Sequence, residues 1–298
     1  MDKYFDDGHT RAKALKNRGP IRFESDGTLG RDISDAYSEY GFYIFESVLA
    51  SDELVDIKAD VEHILNRAPI KKDAENDLSG NRPLGFGCKA PTFFWAPPLS
   101  DPFGATDAAG GRHPVKMPEP KAEKGVADEA IFLILGSLQF SNACLRAYGH
   151  PELLKVAEAV NGSDFTPFNE ALFIKKPGVG ASVAWHQDGL THWDSEDFDE
   201  GTHGFNFMAQ LYGSTARNGV WVVPGTHRLG KMDIKEMVNV AGTEYLPDAV
   251  PMVCGAGDVV ISNRQLVHGS FANTSKKERV TVNFGFHRRK SVLGVKAG

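Results

Sequence analysis

Trp185-His186-Gln187-Asp188 is answered far downstream by His268-Gly269-Ser270 and then by Arg279-Val280-Thr281. His186 and Asp188 stand two residues apart. On a strand or its extended end, that spacing puts both side chains on one face. Two imidazoles and one carboxylate are the ligand set of a mononuclear non-haem iron(II) site with open positions. His268 is placed to bring the second imidazole from a distant strand. Arg279 and Thr281 share a strand face, and a guanidinium fork beside a hydroxyl suits a buried carboxylate. The set reads as an oxygenase that uses 2-oxoglutarate, with the far carboxylate of that cosubstrate on Arg279.

Three other histidines are rival ligands. His192 and His203 lie in a polar stretch rich in Asp and Glu, which reads as a solvated loop. His227, in Pro224-Gly225-Thr226-His227, follows a turn and reads as a structural hydrogen-bonding residue. His-x-Asp alone is weak, because such tripeptides occur by chance. Its force comes from the ordered combination with Gly257-Asp258, His268 and Arg279.

Outward from the motif, the texture after Asn161 is β. Short runs at 170–175, 203–212, 220–223, 250–254, 258–262 and 279–287 are separated by Gly, Pro, Asn and Ser, which predicts strands. The earlier half predicts a helix over 33–40, a strand over Phe42-Tyr43-Ile44-Phe45, and a helix over 52–67 capped by Ser51. Residues 127–148 and 151–160 read as two further helices. Helices first, then many short strands, predicts a mainly β fold with flanking helices (α+β), an antiparallel sandwich or barrel with an appended helical layer. Residues 1–30 read as an arm or edge segment. The Pro- and Gly-rich stretch from about 68 to 125 holds Phe93-Phe94-Trp95 and reads as a lid or pocket wall, with 105–124 mobile, or equally as a surface insertion with no role in the chemistry. Phe86, Phe93, Phe94, Trp95 and Trp193 are candidate linings of a partly apolar substrate pocket.

The chain has 298 residues, 41% hydrophobic and 24% charged, with a net charge of −6. That is ample for a core and gives no electrostatic support for nucleic acid or a membrane surface as partner. Cys88, Cys144 and Cys254 are too few and too scattered for a disulfide framework and read as small buried hydrophobes in a reducing interior. The charged N-terminus lacks an apolar signal core and no stretch is long enough to span a bilayer, so the expected location is cytoplasmic. Asn273-Thr274-Ser275 matches a glycosylation sequon that such a chain would never use.

From about residue 40 to residue 287 the chain resembles the phytanoyl-CoA dioxygenase-like (PhyH) family of Fe(II)/2-oxoglutarate oxygenases. The likeness is carried by Gly41-Phe42 with the helix at Asp52, by Lys176-Pro177-Gly178 before Trp185-His186-Gln187-Asp188, and by Asn218-Gly219 leading to Pro224-Gly225-Thr226-His227. Gly257-Asp258, His268-Gly269-Ser270 and Arg279 complete it. The resemblance implies one domain over 1–298, built on a double-stranded β-helix (jelly roll) with the metal at one open end. It implies His186, Asp188 and His268 as iron ligands, Arg279 on the distal carboxylate of 2-oxoglutarate, and Ser270 near it. Where the family strand commonly carries a Trp, this chain has Met208; Asn206, Met208 and Gln210 share a face, and we place that face inward, toward cosubstrate or substrate; were it outward, Phe205, Phe207 and Leu211 would form the core. The implied cofactors are Fe(II), 2-oxoglutarate and O2, with iron-centred chemistry and no separate acid or base. Relatives that halogenate carry a small residue in place of the carboxylate, so Asp188 favours hydroxylation of a small-molecule metabolite with release of succinate and CO2. Desaturation or cyclisation shares the same oxidant. A cupin-like metal protein of non-oxidative function is one rival, and it would have no need of Arg279 and Thr281; a non-catalytic binding module that kept the fold is the other, and the intact ligand set argues against it.

Overall fold

The computed structural model describes residues 2–188 and 204–293. Helix α1 spans Asp2–Ala14, strand β1 Arg18–Gly19, α2 Arg31–Tyr40, β2 Phe42–Phe45, α3 Ser51–Asn66, β3 Phe93–Ala96 and β4 Ala130–Leu135. Helices α4 (Asn142–Tyr148) and α5 (Pro151–Asn161) precede β5 (Phe165–Lys175), β6 (Val183–His186), β7 (Gly204–Gln210) and β8 (Trp221–Val222). Helix α6 (Ile234–Ala241) is followed by β9 (Val250–Pro251), β10 (Val259–Asn263), β11 (His268–Ser270) and β12 (Arg279–Arg288). An eight-stranded sheet runs β1-β2-β10-β7-β12-β5-β4-β3, and a four-stranded sheet runs β6-β11-β8-β9. Apart from β1 on β2, every strand pair among the described residues is antiparallel, as a double-stranded β-helix requires.

Strand alternation explains which side chains meet the helices. Phe205, Phe207, Ala209 and Leu211 of β7 and its end join Val280, Val282 and Phe284 of β12 on the outer face of the large sheet. There they pack against Ile33 of α2, Ile57 and Ile64 of α3, Cys144 of α4 and Val156 of α5. The intervening residues of the same strands face the small sheet. Met208 shows this directly, packing with Phe42, Ile44, Val222 and Val260 between the sheets. Asn206 and Gln210 therefore share an inward face with Met208.

Four local expectations change. Residues 130–135, read as helix, form strand β4, which pairs with β3 and β5. Its sequence Ala-Ile-Phe-Leu-Ile-Leu is a short apolar run that suits either state, and pairing on both sides decides for strand. The N-terminal segment is an edge segment, with β1 at one edge of the large sheet, and not a free arm. It begins with α1, which covers edge strand β9 through Tyr4 Oη donating to Leu246 O (2.9 Å) and Arg11 Nη2 donating to Ala249 O (2.8 Å). Helix α3 starts at Ser51 rather than after it; the Glu53 carboxylate accepts from the Ala50 N–H at 2.8 Å. Cys144 and Cys254 are buried as expected, but Cys88 is exposed. Asn273 is fully buried and its amide donates to Lys175 O and Lys277 O, so the sequon asparagine serves the fold.

Gly8 sits in α1 directly against the buried Trp221 ring, where a Cβ would overlap ring carbons. Gly8→Ala gains the roughly 1 kcal/mol of helix propensity. Overpacking a well-filled contact costs about 1–3 kcal/mol. The expected net result is a lowered thermal midpoint, read by circular dichroism; a raised midpoint would show that α1 does not pack there.

Candidate metal centre and cosubstrate cleft

His186 closes β6 and His268 opens β11, and the two are directly opposite across the antiparallel pair. That register brings their rings to 4.0 Å between centroids. Asp188 lies just past the strand end, its backbone N–H donating to Arg264 O at 2.8 Å. Each imidazole is oriented by its own strand: Nδ1 of His186 bonds Ala184 O and Nδ1 of His268 bonds Leu266 O, both at 2.8 Å. With Nδ1 carrying the proton, both Nε2 lone pairs are left for a metal. Those Nε2 atoms stand 3.7 Å and 3.6 Å from the two oxygens of Asp188. Among the described residues, His186, Asp188 and His268 form the one group of three donors close enough to share a metal ion.

The charge states fit that use. Burial, then the neighbouring His268 and His113, hold the His186 imidazole well below its ordinary value and so neutral. Burial alone would push the Asp188 carboxyl up; His186, His268, Arg112 and Arg264 outweigh it and hold it below the usual carboxylate range. Neutral imidazoles and an ionised carboxylate are the forms that bind a divalent cation.

Gln187, between the two ligands, points the other way. Its Nε2 donates to Gly230 O (3.0 Å) and Gln265 O (2.7 Å), and its Oε1 accepts from the Met232 N–H (2.8 Å). Trp185 is fully buried and donates through Nε1 to Glu244 O at 2.8 Å. These bonds fix the strand end that carries the ligands.

The large sheet supplies the facing wall. Arg279 and Thr281 of β12 point inward beside Lys175 of β5 and Gln210 of β7. Thr281 Oγ1 donates to Gln210 Oε1 at 3.1 Å, and Gln210 Nε2 donates to Met208 O at 3.2 Å. Arg279 is 3% exposed, its Nη1 donates to Asn218 O at a long 3.4 Å, and its Nε has no partner. Burial pushes its guanidinium down to about 10. Ser270, on β11 of the small sheet, accepts from Lys175 Nζ at 2.8 Å and joins the two walls.

The segment expected to be a mobile lid is anchored on the metal centre. Asp101 accepts from the backbone N–H groups of Gly104 (2.9 Å) and Met117 (2.8 Å), closing a loop over 101–117. From that loop, Arg112 Nη1 donates to Asp188 Oδ1 at 2.9 Å. His113 stacks on Phe103 and lies tilted against His186, with centroids at 5.2 Å and 4.2 Å. Burial brings its imidazole down to about 4. Replacing a partner that orients a metal ligand costs about 10–100-fold in metal affinity. Arg112→Met is therefore expected to weaken Fe(II) binding by that factor, read by anaerobic titration; unchanged affinity would mean that Arg112 does not orient Asp188.

Of the expected aromatic pocket residues, Phe94 packs with Phe103, Phe132, Phe173 and Ala171 on the inward side of β5. Phe93 packs instead with the helix-facing core, because neighbouring strand residues point to opposite faces. Phe86 is exposed, with the Arg82 guanidinium 4.2 Å above its ring. Trp95 is half-buried on β3. Trp193, His192 and His203 lie outside the described residues. His227 bonds Ser38 O at 3.1 Å and abuts Gly41, a structural place away from the metal donors.

Sequence reasoning missed Arg112, His113, Lys175 and Arg264. Lys175 carried a signal: it alternates with Phe173 and Ala171 on the face opposite Ile174 and Leu172. The others reach the site from loops with no spacing to mark them.

A double-stranded β-helix with two histidines and an aspartate at one end, and a buried arginine across the cleft, defines the class of Fe(II)/2-oxoglutarate oxygenases. Residues 37–281 match the family model of phytanoyl-CoA dioxygenase (PhyH), and the chain belongs to that family. It is 24% identical over 197 residues to L-proline trans-4-hydroxylase of Streptomyces griseoviridis, which covers 58% of this chain and 72% of that protein. It is 29% identical over 113 residues to phytanoyl-CoA dioxygenase 1 of Oryza sativa subsp. japonica, covering 35% of this chain and only 38% of the rice protein. Among solved structures, EctD from S. alaskensis with 2-oxoglutarate and 5-hydroxyectoine superposes with a TM-score of 0.63 at 16% identity, covering 91% of this chain and 80% of that one.

Proposed function

We propose that the protein is a dioxygenase that hydroxylates an unactivated C–H bond of a small-molecule metabolite. Substrate, O2 and 2-oxoglutarate would give hydroxylated substrate, succinate and CO2. The observation that carries this reading is the placement of Arg279, buried without a carboxylate partner among the described residues, on the wall facing the His186, Asp188 and His268 donors. A metal site of non-oxidative function has no use for that cation.

His186, Asp188 and His268 would hold the iron, which supplies the activation of O2. Asp188 keeps one anionic ligand in place, so no position is vacated for a halide. Arg279 takes the distal carboxylate of 2-oxoglutarate and so fixes the orientation of its keto acid end toward the metal donors. Phe103, His113 and the loop over 101–117 close the site and exclude bulk water.

The substrate would sit against the inward faces of β7 and β12. Asn206 and Asn283 lie there, buried, each with an amide oxygen lacking a partner. Unpaired buried acceptors favour a ligand that brings donors. The aromatic cluster of Phe94, Phe103, Phe132 and Phe173 adds an apolar side. A small molecule with both polar and hydrocarbon parts fits these walls.

A substrate screen read by mass tests the reaction. Gain of one oxygen supports hydroxylation. Loss of two hydrogens would replace it with desaturation or cyclisation, and a similar fold is seen in the 2-oxoglutarate-dependent carbocyclase SnoK, at TM-score 0.55 and 17% identity.

A further inference from the structure

We propose that Lys175 is a second cation of the cosubstrate cleft, bracketing the distal carboxylate of 2-oxoglutarate with Arg279 and aiming the Ser270 hydroxyl proton at it. The inference rests on the proposed function and names a residue for the same site.

Lys175 and Arg279 are direct cross-strand partners on β5 and β12. Both are 3% exposed. Like charges directly opposite on a sheet repel, and burial removes the water that would screen them. No carboxylate among the described residues forms an ion pair with either. The acid that acts on Lys175 is Asp101, whose oxygens are occupied by the N–H groups of Gly104 and Met117. Burial, then Arg279, push the Lys175 ammonium well below its ordinary value. An anion between the two side chains would remove the repulsion and satisfy the unpartnered Arg279 Nε.

The hydrogen bonds sharpen the role. Lys175 Nζ donates to Ser270 Oγ (2.8 Å) and to Phe271 O (2.6 Å). With an anion bound beside it Lys175 is held as an ammonium, which has three donors, so one remains for that anion. Ser270 Oγ accepts from the lysine, so its own proton points elsewhere. Lys175 thus offers its third donor and sets the direction of the Ser270 donor. Thr281 differs, since its proton already goes to Gln210.

The test measures binding, by calorimetry on protein loaded with Zn(II) under non-turnover conditions. The two probes are 2-oxoglutarate and 2-oxopentanoate, which has the same chain length without the distal carboxylate. Lys175→Met is expected to weaken 2-oxoglutarate binding by about 10–100-fold, the scale of one charge-assisted hydrogen bond in a buried site. It should leave 2-oxopentanoate binding unchanged. Equal losses for both acids, or no loss for 2-oxoglutarate, would overturn the inference. Arg279→Met supplies a second measurement that leaves the lysine intact: it should still prefer 2-oxoglutarate over 2-oxopentanoate, and loss of all preference would also overturn it. If wild-type protein binds neither acid, the proposed function fails. If it binds 2-oxoglutarate and only these comparisons go wrong, Lys175 alone is misassigned.

Discussion

His186→Ala loses Fe(II) binding and, with it, oxidative turnover. In the proposed site three donors would hold the metal, and alanine removes one whose Nε2 is already aimed by the Nδ1 bond to Ala184 O. Partners that only orient a ligand are worth about 10–100-fold in affinity. Loss of the ligand itself costs more. Equilibrium dialysis against Fe(II) under anaerobic conditions reads the outcome. Retention of wild-type affinity would show that the metal sits elsewhere. The fold should survive, because His186 contributes one strand-end side chain and not core volume. A near-native circular dichroism spectrum checks that expectation.

Arg279→Met loses 2-oxoglutarate affinity while keeping the metal. Removing one partner of a buried, hydrogen-bonded charge pair costs roughly 2–5 kcal/mol, and each 1.4 kcal/mol is about tenfold in affinity. The expected loss is therefore about 30-fold or more. Methionine fills much of the same volume, so the β12 register with β5 and β7 should hold. Metal titration separates the two sites: Fe(II) affinity stays within a few-fold of wild type while the cosubstrate constant rises. Loss of both together would mean that Arg279 acts on the fold rather than on the ligand.

The metal donors are legible because their signal is local. Spacing of two on a strand is a period a reader can see in His186-Gln187-Asp188, and donor chemistry singles out His268. Their meeting is not visible in the same way. It depends on β6 and β11 pairing so that His186 and His268 face each other. The jelly roll follows from short strands and turn residues, together with the family resemblance. Residues 130–135 read as helix in the sequence because an apolar run without alternation has no period, and only pairing on both flanks makes it a strand. Helix α1 is hidden by its polar composition. Its few buried residues, Phe5, Gly8 and Ala12, matter because Trp221 and β9 are there to receive them. Arg112 and His113 come from a Pro- and Gly-rich loop, and no sequence spacing says that such a loop folds back onto Asp188. Lys175 is the intermediate case. Its face is readable by alternation, but its importance emerges only when Arg279 is seen directly across from it.

Iron at His186, Asp188 and His268 and 2-oxoglutarate at Arg279 would act as one oxidising centre. O2 consumption measured together with succinate formation tests it most directly, with wild-type protein, Fe(II), 2-oxoglutarate and a library of small polar metabolites. The expected result is O2 uptake and succinate in equal amounts, dependent on both iron and 2-oxoglutarate, and absent in His186→Ala. Wild-type protein that binds neither Fe(II) nor 2-oxoglutarate, and forms no succinate with any member of the library, would contradict it.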